Sequence, residues 1–429
     1  MKHWGLRVFL VLAGLIYLRA VVFSSLGTLA LERPTSDNLR RGIRWDPDNH
    51  FLWRYLARTR VLSLDDSELN EGADAYRQAL VRNPLDPLTW EGLGTIESRL
   101  GDSQKKEAVL RGWLAALPHS PSAAWALANL LLQQGRSEEA FPFFRSAAAD
   151  DTSLRTPLFD LSWKLLSDPQ KILAEIVPPD LSARIDYCYY LIGKKGMLRE
   201  VYPVWHTLLP TRTDAVIGLG LIYVEALAAA GMGAEAARVW QETRAESIEG
   251  VNRPTEERII NGGYEAPLRN AGLDWRLTQA SGHQITLDNF AARSGSRSLR
   301  VKFDGKTNPE FSHVQQWVPV EPGMDYRFQA YLKTQDISTD NGLYLSLVSI
   351  PALPENSPEL LTETFVGSSP WTAQQIDFRA GPNTSMVLVR LRRNRSSKLN
   401  NLLQGTVWLD DVSLLPRTLP KTRPGLATK

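Results

Sequence analysis

Three patterns of apolar and polar positions follow one another along this chain. The first is an apolar stretch, Val8–Leu18, which Arg19 interrupts and Ala20–Leu31 resumes, with no further charge until Glu32. As one helix it is long enough to cross a bilayer, which takes about 20 residues. The second runs from about Ser36 to Glu246 and repeats apolar residues at the three-to-four-residue spacing of amphipathic helices. The third, Asn261–Leu415, consists of short alternating runs broken by Gly, Asn, Asp, Ser and Pro. That alternation predicts an antiparallel two-layer β fold. The chain therefore reads as α then β: a membrane helix within residues 1–35, a helical array at 36–246, a linker at 247–258, a β-sandwich at 259–415 and a disordered tail at 416–429.

The apolar start admits two readings. As a signal peptide, Val8–Leu18 is the hydrophobic region and Thr28-Leu29-Ala30 the cleavage site. As an anchor, residues 8–31 stay in the membrane. Arg19 costs about 2.5–3.5 kcal/mol at mid-bilayer, which the surrounding leucines, valines and isoleucines offset. The adopted reading is an uncleaved single-pass anchor in the inner (cytoplasmic) membrane, with the bulk of the chain extracytoplasmic. Charge alone does not fix the orientation, because Arg33, Arg40, Arg41 and Arg44 after the span compete with Lys2 and Arg7 before it.

The helical region repeats. Pro47, Pro84 and Pro118 lie 37 and 34 residues apart, and each is followed six or seven residues later by Trp53, Trp90 or Trp125. Small or apolar pairs come next: Leu56-Ala57, Leu93-Gly94 and Ala128-Asn129. Gly42, Ala79 and Trp113 stand five residues before the three prolines. These landmarks resemble the tetratricopeptide repeat, whose period is about 34 residues. The resemblance implies an α-solenoid of helix pairs whose groove takes a protein partner. Downstream the landmarks drift, and single helices are predicted over 155–176, 180–191, 197–209, 214–230 and 234–244, with a turn at Gly231-Met232-Gly233.

In the third region Leu299, Val301 and Phe303 alternate with Arg300 and Lys302, and Tyr326, Phe328, Ala330 and Leu332 with Arg327, Gln329 and Tyr331. Leu343, Leu345 and Leu347 alternate with Tyr344 and Ser346, and Val387, Val389 and Leu391 with Leu388, Arg390 and Arg392. One face of each strand is core and the other meets solvent or ligand. Asn261-Gly262-Gly263-Tyr264-Glu265, Gly295-Ser296-Arg297-Ser298-Leu299-Arg300-Val301, Val318-Pro319-Val320-Glu321-Pro322-Gly323 and Trp408-Leu409-Asp410-Asp411-Val412 occur in this order. Together they resemble carbohydrate-binding modules of families 4 and 9, which implies a jelly roll and a polysaccharide ligand. It also implies a structural calcium held by Glu265 and Asp410, with Asp411 as the alternative partner; no other cofactor is required. For sugar, which needs flat aromatic surface and polar groups, the non-core faces offer Gln315, Trp317, Gln329, Tyr331, Tyr344, Arg390 and Arg392.

Composition adds exclusions. With 49 basic and 47 acidic residues the net charge is +2, which argues against nucleic acid as a partner. The basic run Arg390–Arg395 with Lys398 is the one local exception, suited to an acidic polymer or lipid head groups. The single cysteine, Cys188, permits no internal disulfide and reads as a buried helix residue. No phosphate-binding loop, His-Glu-x-x-His or Gly-x-Ser-x-Gly motif occurs, and the six histidines lack ligand spacing. The expectation is a membrane-anchored, non-enzymatic scaffold of a bacterial-type envelope, placed beside exopolysaccharide synthesis or export. The alternatives are a pure protein-interaction adaptor with a non-lectin sandwich and, less favoured, a carbohydrate-active enzyme.

Overall fold

The computed structural model describes residues 2–194, 197–244, 256–350 and 359–417, without the side chains of 2–7 and 244. It divides into two compact units, Met1–Tyr190 and Leu191–Lys429. Most of the predicted linker and nearly all of the predicted tail lie outside the described residues.

The first unit is all helix. Helix α1 (Lys2–Glu32) leads into α2 (Ser36–Trp45), α3 (His50–Arg58), α4 (Asp66–Arg82), α5 (Pro87–Arg99), α6 (Ser103–Ala116), α7 (Pro121–Gln133) and α8 (Ser137–Asp150). Then come α9 (Arg155–Leu166), α10 (Pro169–Glu175) and α11 (Leu181–Gly193), which runs to the end of this unit and just past it. Within α1, Val8–Glu32 is long and apolar enough to cross a membrane, with a mean hydropathy of 2.1. Its last turns pack on α2: Phe23 stacks on Trp45 at 5.3 Å, and a Cβ at Gly27 would lie 2.6 Å from that of Asp46.

The proline period has a structural cause that recurs three times. Asp46, Asn83 and Leu117 each precede a proline and share a non-helical conformation, with φ/ψ of −132/73, −142/89 and −132/80. Proline forces this on the residue before it and so ends the helix. Each of these residues still donates its N–H to the carbonyl five residues before the proline: Gly42 at 2.8 Å, Ala79 at 2.9 Å and Trp113 at 2.7 Å. Two residues after each proline, Asn49, Asp86 or Ser120 caps the next helix with its side chain. Within pairs, Gly101 and Gly135 take left-handed φ of 72° and 76° and close α5 onto α6 and α7 onto α8. The expected single helix at 155–176 is instead two, because Ser167 turns left-handed at φ 50° and Pro169 starts afresh.

The second unit joins α12 (Leu198–Leu208), α13 (Asp214–Ala229) and α14 (Gly233–Arg244) to a β-sandwich. Its strands are β1 (Arg276–Leu277), β2 (His283–Asp288), β3 (Ser298–Asp304), β4 (Phe311–Pro319), β5 (Asp325–Ile337), β6 (Tyr344–Ile350), β7 (Leu360–Leu361), β8 (Gly367–Arg379), β9 (Met386–Arg393) and β10 (Gln404–Pro416). Two five-stranded antiparallel sheets form, ordered β1-β4-β9-β6-β7 and β2-β3-β10-β5-β8. The alternation read from sequence supplies the core between them: Leu299, Val301 and Phe303 face Val314, Val318, Val389 and Leu391, all fully buried. Asn261–Glu265 lies against a bulge in β10, where the Val412 N–H donates to the Gly262 carbonyl at 3.0 Å. A Cβ at Gly262 would be 1.8 Å from the Val412 oxygen, so the approach requires glycine.

Candidate functional site

The register of the first sheet builds one polar row across four strands, ending against Leu361 on the fifth. Arg276 on β1 pairs with Gln315 on β4, Gln315 with Arg390 on β9, Arg390 with Ser346 on β6, and Ser346 with Leu361 on β7. Arg392 pairs with Tyr344 one step along, and Trp317 with Leu388 one step the other way. Because side chains alternate across a strand, these residues share the face turned away from the core. Five of the seven residues proposed for sugar contact, Gln315, Trp317, Tyr344, Arg390 and Arg392, are thus brought together.

This face is already partly engaged. Glu359 lies across the two arginines: its Oε1 accepts from Arg390 Nη2 at 2.8 Å and from Arg392 Nη1 at 2.9 Å, and its Oε2 from Arg392 Nη1 at 2.7 Å. Burial pushes the Glu359 carboxyl upward, but the nearby Ser346 hydroxyl and the hydrogen bonds from both guanidiniums outweigh it and hold the group below the ordinary range. The Nε atoms of Arg390 and Arg392 are buried and make no hydrogen bond. At the β1 end, the Arg276 guanidinium lies 5.5 Å from the Trp317 ring centre and pairs with Glu225 of α13. Glu225 also accepts from the Gly272 N–H at 3.0 Å. The turn between α13 and α14 docks beside it, with the Gly233 N–H donating to Ser385 Oγ at 3.3 Å. The sequence held no signal for Glu359, which lies 31 and 33 positions from the arginines it pairs.

The other two expected contacts, Gln329 and Tyr331, are on β5 of the second sheet and belong to a different surface. Gln329 donates to Tyr331 Oη at 3.1 Å, and the Arg293 guanidinium covers the Tyr331 ring at 3.5 Å. Alternation tells core from surface but not which sheet a strand joins, so the strand order is what separates these two from the other five.

The three carboxylates expected to hold calcium do converge, on the loop 293–297. Asp410 Oδ2 accepts from the N–H groups of Arg293 and Ser294 at 2.8 and 3.3 Å, and Asp410 Oδ1 from that of Asp411 at 2.8 Å. Asp411 Oδ1 accepts from Ser294 Oγ at 2.6 Å, and Oδ2 from Arg293 Nη1 at 2.5 Å. Glu265 Oε1 accepts from the Ser296 and Arg297 N–H groups at 2.7 and 3.0 Å, and Oε2 from Ser296 Oγ at 2.5 Å. Calcium wants oxygen donors turned inward. Here the loop turns N–H and O–H groups toward the carboxylates, and Arg293 brings the positive charge. The set does not fit a calcium ion, and among the described residues no group of three or more His, Cys, Asp or Glu is placed to hold a metal. Asp410 is fully buried, and burial pushes its carboxyl up to about 6, against the pull of the N–H bonds.

The basic run is largely spent inside the fold. Arg393 is fully buried, with Nε on the Asn341 carbonyl at 2.8 Å, Nη1 on Pro309 O at 2.6 Å and Asn308 Oδ1 at 3.0 Å, and Nη2 on Asn401 O at 3.2 Å. Lys398 pairs with Asp340. Of this run, Arg390 and Arg392 stay on the outer face of the first sheet, paired with Glu359.

In the helical unit a cleft of about 550 Å³ is lined by Arg54, Tyr55, Arg58, Leu62, Tyr76 and Gly92, among others. Arg54 is tied to Asp86 at 2.8 Å, while burial lifts the Tyr76 hydroxyl to about 12. Gly92 makes room for that phenol, since a Cβ there would lie 2.2 Å from Tyr76 Cζ. Cys188 is buried as expected, and burial pushes its thiol up to about 12.

No family model matches the chain, and no curated protein does. Among solved structures, the C-terminal part is similar to a Family 16 carbohydrate binding module, with a TM-score of 0.27 and 15% identity over 37% of this chain and 98% of that one. It is also similar to the CBM22-1 xylan-binding domain from Paenibacillus barcinonensis, with a TM-score of 0.25 and 13% identity over 36% of this chain and 91% of that one. The helical part is similar to MamA AMB-1, with a TM-score of 0.25 and 22% identity over 30% of this chain and 72% of that one.

Proposed function

We propose that this protein is a membrane-anchored, non-enzymatic scaffold whose helical repeats bind a protein partner and whose sandwich binds glycan on the outer face of the first sheet. The row Arg276–Gln315–Arg390–Ser346, flanked by Tyr344, Arg392 and Trp317, carries the glycan reading. It sets the Gln315 amide and the guanidiniums in register beside the Trp317 ring, the mix of polar and aromatic groups that sugar recognition requires. The protein partner is assigned to the cleft around Arg54, Arg58 and Tyr76. Retention of α1 as an anchor is supported by its packing on α2, because cleavage after Ala30 would strip Phe23 from Trp45. Such an arrangement suits a place beside polysaccharide synthesis or export machinery in a bacterial envelope.

The second reading, an adaptor whose sandwich takes no sugar, is favoured by one observation. Arg276 covers Trp317 and Arg293 covers Tyr331, so two rings that would stack on sugar are occupied. Affinity electrophoresis of the full-length chain in detergent through neutral and acidic polysaccharides separates the two. Retardation that Gln315→Ala weakens supports the glycan face, and unchanged mobility in every polysaccharide supports the adaptor.

A further inference from the structure

We infer that the glycan face is built for an acidic polysaccharide, a chain of uronate type, whose carboxylate takes the place that Glu359 occupies on Arg390 and Arg392. The inference rests on the glycan reading above and adds the ligand's charge to it. Two guanidiniums two residues apart on β9 converge on a single carboxylate, which enters from the residue just before the two-residue edge strand β7. Arg390 and Arg392 retain 22% and 16% side-chain exposure, so they are neither open surface nor sealed core. Buried cations are costly unless paired. One carboxylate serves two of them here, and both Nε atoms are left without an acceptor. A planar carboxylate matches the fork of a guanidinium and can take two parallel hydrogen bonds from it. The Gln315 amide, in register with Arg390, suits a sugar hydroxyl.

Glu359 thus acts as an internal stand-in for the ligand, and binding exchanges one carboxylate for another with no net change of charge on the arginines. A neutral sugar offers nothing for that exchange. The ligand's charge therefore adds to what its sugar groups contribute.

The experiment compares polygalacturonate with its fully methyl-esterified form and with poly-glutamate, binding each to the full-length chain in detergent. Wild type should prefer polygalacturonate over the ester by about tenfold or more, the difference one charge-assisted hydrogen bond makes. Glu359→Gln, of nearly the same shape, should raise polygalacturonate affinity by about tenfold and leave the ester unchanged. Arg392→Gln should abolish the preference, with a thermal melt confirming that each variant folds. Equal binding of acid and ester overturns the inference and leaves the glycan reading standing. Poly-glutamate competing as well as polygalacturonate overturns the glycan part, and binding of none of the three removes both.

Discussion

The indole Nε1 of Trp90 donates a 2.8 Å hydrogen bond to the carbonyl of Pro84, six residues earlier. Trp53 does the same to Pro47, also at 2.8 Å. In these two pairs the proline that ends one helix therefore presents its carbonyl to the tryptophan that opens the next pair. Trp90→Phe keeps most of the ring and removes the donor. It should lower the stability of the helical unit by about 1 kcal/mol, the usual net value of such a bond. A urea titration followed by far-UV circular dichroism measures it, and an unmoved midpoint would show that the spacing serves packing alone.

That bond also shows why the fold was legible in the sequence. Pro47, Pro84 and Pro118 act locally on the residue before them, so their effect can be read without knowing what lies across the helix. The same holds for strand alternation, since Leu299, Val301 and Phe303 are core whichever sheet they join. The site was legible only in part, because its geometry depends on strand order. Gln329 and Tyr331 have the same alternation signature as Gln315 and Trp317, yet they sit on the other sheet. Nothing near Glu359 in the chain marks it as a partner of β9. Arg393 looked like one more surface arginine of a basic run, although the strand's alternation reverses its environment.

Arg393 joins three separate stretches of chain through four acceptors, none of them a carboxylate. Burial pulls its guanidinium below its usual range. Lysine has the charge but not the planar fork. Arg393→Lys should therefore destabilise the sandwich by about 2–4 kcal/mol, as expected when buried charge-assisted bonds are lost. Differential scanning calorimetry of the full chain would record the loss, and a shift no larger than that of an exposed Arg395→Lys control would refute the role.

Asp410 predicts an unusual pH response. Burial lifts its carboxyl from 3.8 to about 6, so the folded chain holds this proton where the unfolded chain has lost it. Folding then takes up a proton between these values, and the group's contribution to stability falls as pH rises through that window. Carboxylates held low, such as Glu265 and Glu359, act in the opposite sense, losing their contribution as pH falls. Comparing wild type with Asp410→Asn cancels those shared groups. From pH 6.5 down to 4 the wild type should gain on the variant by at most about 3 kcal/mol. Parallel stability curves for the two proteins would count against the lifted carboxyl.

Arg293 makes the last prediction, because it supplies the positive charge beside Asp410 and Asp411. Its backbone N–H and guanidinium bind these two carboxylates while its side chain stacks on Tyr331 at 3.5 Å. With the charge provided by the chain itself, chelator should leave the melting temperature of the wild type unchanged. Arg293→Gln keeps the backbone donor and removes the cation, which leaves neighbouring carboxylates to repel one another. This variant should melt lower than the wild type, and millimolar calcium should recover part of the difference by replacing the lost charge. A wild-type melting temperature that falls with chelator would mean that calcium, and not Arg293, holds the loop to the last strand.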